Sequence, residues 1–305
     1  MNIKFPCSAL FLDSGGGWMP NTVRQGSRRG EDSFILFRKP AFSIFSEEGT
    51  VTVSLRERQV ITSRNPLSLL EGYLGEGYVA IGYLGYEFSR FTEKGFTPSR
   101  KKEGDPFPDA YFHFFKKEDV VSGRIQDMKY LIQPRFQERG DDPWVSPIQW
   151  GIEGEDFRET PSHIYPNMTK DEYIRMVGHV KDYIASGDVY QVNLSQRFTA
   201  ALGFSPFSYF LSLYSVQPVP FGCYMDFGEF QLISGSMELF LRKTGRKLVT
   251  KPIKGTRKRG YTNEADAILQ AELIGSEKER AENLMIVDLM RNDLGMVCKY
   301  GTVKV

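Results

Sequence analysis

A lysine followed at once by glycine and threonine, in the run Pro252-Ile-Lys-Gly-Thr256, places an amine where the backbone is bare. Gly255 lets a ligand approach the main chain closely, and Thr256 adds a hydroxyl donor. An amine that is desolvated, or that lies beside another cation, loses its proton more readily and becomes a usable nucleophile. The plain alternative is a solvated loop lysine, because Lys251, Arg257, Lys258 and Arg259 lie beside it. Glu282 is a second candidate. It stands among Ala281, Leu284, Met285, Ile286 and Leu289, and a carboxylate on so apolar a stretch needs a partner if it is buried. A hard cation such as Mg2+, which uses one or two protein carboxylates plus ligand oxygens and water, is one such partner; an exposed pairing with Lys278 one turn earlier is the other.

The elements that must hold these residues are readable from pattern. Lys247 to Thr250 reads as a strand running into the lysine loop, and Leu239 to Arg242 reads as a strand before it, both continuing one sheet. Phe221 to Phe227 and Glu229 to Ser234 read as two strands joined at Gly228. Glu264 to Leu273 is predicted helical. Ser276-Glu-Lys-Glu279 is a capping box opening a further helix to about Asn292, with Gly295 beyond it. Upstream, the box Thr169-Lys-Asp-Glu172 starts a helix with Tyr173, Met176, Val177, Val180, Tyr183 and Ile184 on one apolar face, ended by Gly187. Val189 to Arg197 is predicted as a strand carrying the amides Gln191 and Asn193, and Ser205-Pro206 opens a helix to about Ser215.

The first part of the chain is β-rich. Ser33–Arg38, Val51–Leu55, Tyr78–Leu84 and Met128–Ile132 read as strands, Asn65–Leu70 as the start of a short helix, and Phe91–Pro106 as a loop. The expected organisation is an N-terminal domain over residues 1–133, a linker or crossing segment over 134–164 anchored by Trp144 and Trp150, and a second domain over 165–305. The fold class is α+β, a large β-sheet sandwich flanked by helices.

Bulk properties exclude several functions. The chain has 305 residues with 39 basic against 38 acidic side chains, net +1, which gives no field for nucleic acid or an anionic membrane. The basic run 257–259 has no interleaved aromatics, so it reads as a supporting or solvated group. Three scattered cysteines suggest a reducing compartment and no disulfide framework, and no Cys or His cluster offers a zinc site. His113, His163 and His179 read as packing or surface residues. Pro6 and Asp13 break the N-terminal apolar stretch, so no signal peptide is expected, and no run approaches the ~20 apolar residues of a membrane span. A soluble, cytoplasmic protein is expected.

Four ordered segments carry a resemblance: Gly187-Asp-Val-Tyr-Gln-Val-Asn-Leu-Ser-Gln-Arg-Phe198, Ser236-Met-Glu-Leu-Phe240, Pro252–Thr256, and the stretch from Arg280 through Val287-Asp-Leu-Met-Arg-Asn-Asp-Leu-Gly295. Together they resemble the chorismate-utilising enzymes, which include anthranilate synthase component I, aminodeoxychorismate synthase component I, isochorismate synthase and salicylate synthase. The resemblance is strong from about Tyr165 onward. A lysine in the Pro-Ile-x-Gly-Thr motif resembles the aminodeoxychorismate synthases; the anthranilate enzymes usually carry Ala there.

The resemblance implies a chemistry. Chorismate is the substrate, Lys254 the nucleophile, Glu238 the general acid/base, Gly255 and Thr256 substrate-binding, and Glu282 a ligand of Mg2+. Glu238 would have to keep its proton near neutral pH, which burial among Met237, Leu239 and Phe240 would favour. The family usually has Pro where this chain has Met237. Ammonia would come from a separate glutamine amidotransferase subunit, since no segment resembles a glutaminase. Leu12-Asp-Ser14 and Pro218-Val-Pro-Phe-Gly222 resemble segments that line a tryptophan effector pocket in the family, so Ser14, Pro220, Phe221 and Gly222 are candidates for one; turn capping by Ser14 and loop shaping by the prolines is the alternative. The family's later His-containing strand, its Gly-Ser-x-Thr-Gly-Ala-Pro-Lys turn and its second set of carboxylates find no match before Val305. The chain therefore reads as C-terminally incomplete, with a catalytic half that is partial and inactive alone. The alternatives are anthranilate synthase component I and a non-catalytic binding fragment.

Overall fold

Two antiparallel five-stranded sheets, each buried on both faces, form the platform of the molecule. The structure, a computed structural model, describes residues 8–13, 33–55, 58–95, 107–125, 163–203 and 205–305. The expected strand at Met128–Ile132, both linker tryptophans and Ser14 lie outside the described residues.

The first sheet has the order β12-β11-β1-β2-β8, from β1 (Ala9–Asp13), β2 (Ser33–Phe37), β8 (Val120–Arg124), β11 (Phe221–Asp226) and β12 (Gln231–Ser236). The second has the order β5-β4-β3-β7-β6, from β3 (Phe42–Glu47), β4 (Thr50–Leu55), β5 (Arg58–Thr62), β6 (Val79–Leu84) and β7 (Ala110–Phe115). The first sheet joins distant parts of the chain: β1 pairs with β11, Leu10 opposite Tyr224 and Leu12 opposite Gly222. Sheet strands therefore come from both sides of the linker expected over 134–164.

Side-chain alternation along the strands feeds three cores. Leu10, Leu12, Phe34, Leu36 and Tyr224 face α3 (Pro206–Val216), which contributes Phe207, Phe210, Leu211 and Tyr214. Ala9, Ile35, Phe37, Cys223 and Met225 point the other way and meet Ile81 and Phe115 of the second sheet. The far face of that sheet packs Phe42, Ile44, Val51, Val53 and Phe114 against Leu69 of α1 (Pro66–Gly75). The layers run helix, sheet, sheet, helix. This explains why β2 reads as the unbroken run Ser33-Phe-Ile-Leu-Phe37 in an antiparallel sheet, where one solvated face is more usual. The class is α+β.

The helix starts follow from their caps. Asn65 accepts from the Leu67 amide at 2.8 Å ahead of Pro66, and Ser205 caps α3 ahead of Pro206. A buried histidine ties the two sheets together. His113 on β7 donates from Nε2 to the Asp226 carbonyl of β11 at 2.9 Å, and its Nδ1 accepts from the Ser43 hydroxyl at 2.6 Å.

The remainder is an open region that includes the candidate site. It comprises α2 (Lys170–Ser186), the short pair β9 (Ile164–Pro166) and β10 (Phe198–Ala200), the hairpin β13 (Leu239–Thr244) and β14 (Lys247–Lys251), α4 (Asn263–Gly275) and α5 (Glu277–Val297). Thr169 and Glu172 form the complete predicted capping box, and Gly187 ends α2 in the left-handed conformation. Three expectations need correction. Residues 189–197 are irregular, because among the described residues no strand pairs with them; pairing begins only at Phe198, opposite Pro166. The hairpin does not continue the large sheet, since β13 and β14 pair only with each other among the described strands. Helix α5 runs through Gly295 to Val297, so that glycine lies inside the helix and is not a stop. No helix among the described residues is long and apolar enough to cross a membrane.

Candidate active site

The site is built where the chain leaves the large sheet. At the end of β12 the Ser236 hydroxyl accepts from the Glu238 amide at 3.3 Å and turns the chain into the hairpin. The hairpin returns at Lys251, opposite Leu239. The Glu238 carboxylate then accepts from the Ile253 amide at 3.1 Å. Glu238 is thus fastened to the residue immediately before Lys254. The burial expected for it is not found: Glu238 is exposed, and Phe240 is 79 % exposed. The physical reason is its position in a two-residue link at the edge of a hairpin over which, among the described residues, no layer packs.

Lys254 is half-buried and lines a cleft of about 310 Å³. Pro252 belongs to the same loop, Leu273 comes from α4, and Glu279, Arg280 and Asn283 come from α5. The cleft therefore holds two cationic groups, one carboxylate and one amide, suited to an anionic ligand with further polar atoms. Gly255 has φ +74°, and a Cβ there would lie 2.8 Å from Glu279 Oε2 and 3.1 Å from Leu273 Cδ1. Both the backbone conformation and the close approach of α5 require glycine. Thr256 is exposed, and its carbonyl accepts from Arg257 Nη1 at 2.9 Å.

Two arginines of the basic run beside Lys254 are paired with carboxylates. Arg257 Nε donates to Glu272 on α4 at 3.0 Å, and Nη1 donates to Glu279 on α5 at 3.4 Å. These carboxylates, Glu272 first, hold the guanidinium above its ordinary pKa. Arg259 donates to Asp266 at 2.7 Å, and the Gly260 amide joins it at 2.9 Å, which keeps Asp266 below the usual carboxylate value. Arg257 and Arg259 both tie the lysine loop to the helices through these carboxylates, Arg259 while staying largely exposed. The box predicted at Ser276 is half formed for the same reason. Ser276 caps the Glu279 amide at 3.4 Å, while the Glu279 carboxylate turns to Arg257.

Glu282 sits half-buried on α5, three residues past Glu279 and so near it on the helix surface, but it is not among the residues lining the cleft. No group of three or more His, Cys, Asp or Glu side chains that could hold a metal occurs among the described residues. A hard cation takes one or two protein carboxylates plus ligand oxygens and water, so a single carboxylate such as Glu282 would need substrate and solvent to supply the remaining ligands. Arg291 pairs with Asp288 on its own helix at 2.6 Å.

The segments expected to line an effector pocket meet across two paired strands. Leu12 and Gly222 are cross-strand partners, so the segments at 12–13 and 218–222 come together, with Pro220 and Phe221 half-buried. Gly222 is bare because the Tyr214 ring lies 2.9 Å from where its Cβ would be. Sequence reasoning missed Arg257, Glu272, Glu279 and Asn283 as parts of the site. The available signal was charge complementarity between the basic run 257–259 and the acids at 266, 272 and 279.

Comparison with known proteins agrees with this frame. The family of chorismate binding enzymes matches residues 18–305, and the chain belongs to that family. It is 39 % identical over 235 residues to aminodeoxychorismate synthase component 1 of Bacillus subtilis, covering 74 % of this chain and 50 % of that protein. It is 46 % identical over 250 residues to anthranilate synthase component 1 of Aquifex aeolicus, covering 74 % and 48 %. The crystal structure of anthranilate synthase component I from Streptococcus pneumoniae superposes with a TM-score of 0.66 at 27 % identity, covering 91 % of this chain and 64 % of that one. The chain spans about half the length of the curated relatives it matches.

Proposed function

We propose that the chain is the chorismate-binding component of an aminodeoxychorismate synthase, acting in the formation of 4-amino-4-deoxychorismate on the way to 4-aminobenzoate and folate. The observation that supports this reading is a lysine in the cleft, with Glu238 fastened to the preceding amide. The Lys254 amine bonds to ring C2 of chorismate, the two ring double bonds shift, and the C4–O bond breaks. Glu238 supplies the proton with which the C4 hydroxyl departs as water. Ammonia, delivered by a glutamine amidotransferase subunit, then bonds to C4, the double bonds shift back, and the bond from C2 to Lys254 breaks. Two easier displacements replace one hard one. Glu282 would hold Mg2+, which when bound would neutralise substrate carboxylate charge. Because Glu238 is exposed, bound substrate must itself help exclude water from it. Arg280 and Asn283 are placed to orient an anionic ring acid in the cleft. Tryptophan would bind where the segments at 12–13 and 218–222 meet. Residence in the cytoplasm accords with this reading.

The closest rival is anthranilate formation, favoured by the name of the Aquifex relative. Incubating the protein with chorismate, ammonium and Mg2+ separates the two. The expected product is 4-amino-4-deoxychorismate, identified by mass and by conversion to 4-aminobenzoate with a lyase; directly fluorescent anthranilate would decide for the rival. Lys254→Ala should abolish product, and full turnover by that variant would end the adduct mechanism. Calorimetry that finds tryptophan bound and chorismate unbound would instead mark a non-catalytic binding module.

A further inference from the structure

Arg257, on the lysine loop, reaches both helices that line its cleft. It donates to the carbonyl of Thr256, to Glu272 on α4 and to Glu279 on α5, at 2.9, 3.0 and 3.4 Å. Glu279 is at once its partner, a wall of the cleft and the group against which Gly255 is pressed. The loop around Lys254 has no regular secondary structure of its own, and residues 252–260 make no strand or helix. Apart from the Glu238 contact at Ile253, the Arg257 fork is the nearest polar tie on the C-terminal side of Lys254. A planar guanidinium suits this task because it can span two carboxylates in fixed geometry, which an ammonium does not do.

We propose that Arg257 is a positioning residue: through Glu279 and Glu272 it locks the Gly255 turn against α5 and so fixes where the Lys254 amine points. The consequence for turnover rests on the proposed reaction. The geometric claim does not, and the two are read separately. In the intact chain, the rate at which a water-soluble amine-acylating reagent modifies Lys254 is followed by mass spectrometry, with Lys251 on β14 as internal standard. Arg257→Ala should speed modification of the half-buried Lys254 several-fold while Lys251 keeps its rate. Arg257→Gln retains a hydrogen-bond donor but cannot bridge both carboxylates. It should act in the same direction, and it decides the matter if the alanine variant does not fold. An unchanged Lys254 rate in a folded variant overturns the proposal. So does equal acceleration at Lys251, which would mean general loosening. With chorismate, the folded variant should lose up to about 100-fold in kcat with a smaller change in KM, the size expected for misplacing a reacting group by about 1 Å. If Lys254 labelling shifts while the wild-type protein makes no product from chorismate, the positioning role stands and the proposed reaction falls.

Discussion

The sandwich and the site unit are built from the same kinds of residue but are held together differently. In the sandwich, Phe34, Phe114, Phe115, Phe207 and Phe210 are almost wholly removed from water, and every layer has a partner on each side or a helix over it. In residues 163–203 and 237–305 no described residue is buried, although α2 and α5 carry Ile174, Tyr183, Leu284 and Leu289. Order there comes from polar fastenings: the Thr169 box, the Glu238 contact, and the Arg257 and Arg259 staples. The lesson is a division of labour. The apolar layers fix where β12 ends, and directional contacts beyond that point aim Lys254. Regions with few buried contacts open at lower free energy than a packed core, so the two parts should unfold and exchange separately.

The widest separation should appear in core truncations. Phe114→Ala should cost about 3–5 kcal/mol, because it removes a buried ring and leaves a cavity between the second sheet and α1. Leu284→Ala, at a side chain 68 % exposed, should stay within about 0.5 kcal/mol. Urea midpoints followed by circular dichroism give both values. A comparable loss at Leu284 would mean that the apolar side of α5 is covered in solution, and the contrast between the two regions would fail. A middle-sized effect is expected at the site. Gly255→Ala forces a Cβ onto a left-handed residue and into Glu279, at about 1–2 kcal/mol for the backbone alone. Amide exchange should quicken over residues 239–297 and stay unchanged in β1, β2 and β11; uniform acceleration would show that the site unit and sandwich open as one.

What the sequence showed and what it hid divide along the same line. Caps at Asn65, Thr169 and Ser205 were legible because a cap is a local contact between a side chain and amides two or three residues on. Among the strands of the first part, β2, β4 and β6 were legible as β-rich runs, β2 because burial on both faces leaves no polar interruption, whereas β1, β3, β5, β7 and β8 were not read as strands. The strand expected over 189–197 failed because pairing depends on a partner, which composition cannot supply. The lysine turn stood out from its glycine and threonine. The exposure of Glu238 and the commitment of Glu279 to Arg257 did not, since each depends on what packs nearby in space. Ser276-Glu-Lys-Glu279 shows the limit well: the spacing of a capping box is present, but a stronger charge-assisted partner 22 residues upstream takes the glutamate.

The smallest expected effect concerns pH, and it too should separate the regions. Burial of His113 between the sheets pushes its pKa below the ordinary 6.5, and its contacts with Asp226 only partly oppose this. Above 6.5 the ring is neutral in both folded and unfolded chains, so its contribution to stability is complete. As pH falls below that value the unfolded chain takes up a proton that the folded ring resists. Stability is therefore lost with falling pH until the folded ring protonates as well. One such group can give a slope of at most about 1.4 kcal/mol per pH unit. In the site unit, Arg259 and then the Gly260 amide hold Asp266 below its ordinary 3.8, so the stability it lends is present above 3.8 and is lost only as pH falls further. Between pH 6.5 and 5 the sandwich should weaken while the Arg259–Asp266 staple holds. Thermal unfolding across that range, in the wild type and in His113→Phe, tests this. The variant starts less stable, because the Ser43 hydroxyl and the Asp226 carbonyl lose their partner, but its stability should be flatter with pH. An unaltered slope in His113→Phe would place the acid-sensitive group elsewhere and remove this distinction between the two regions.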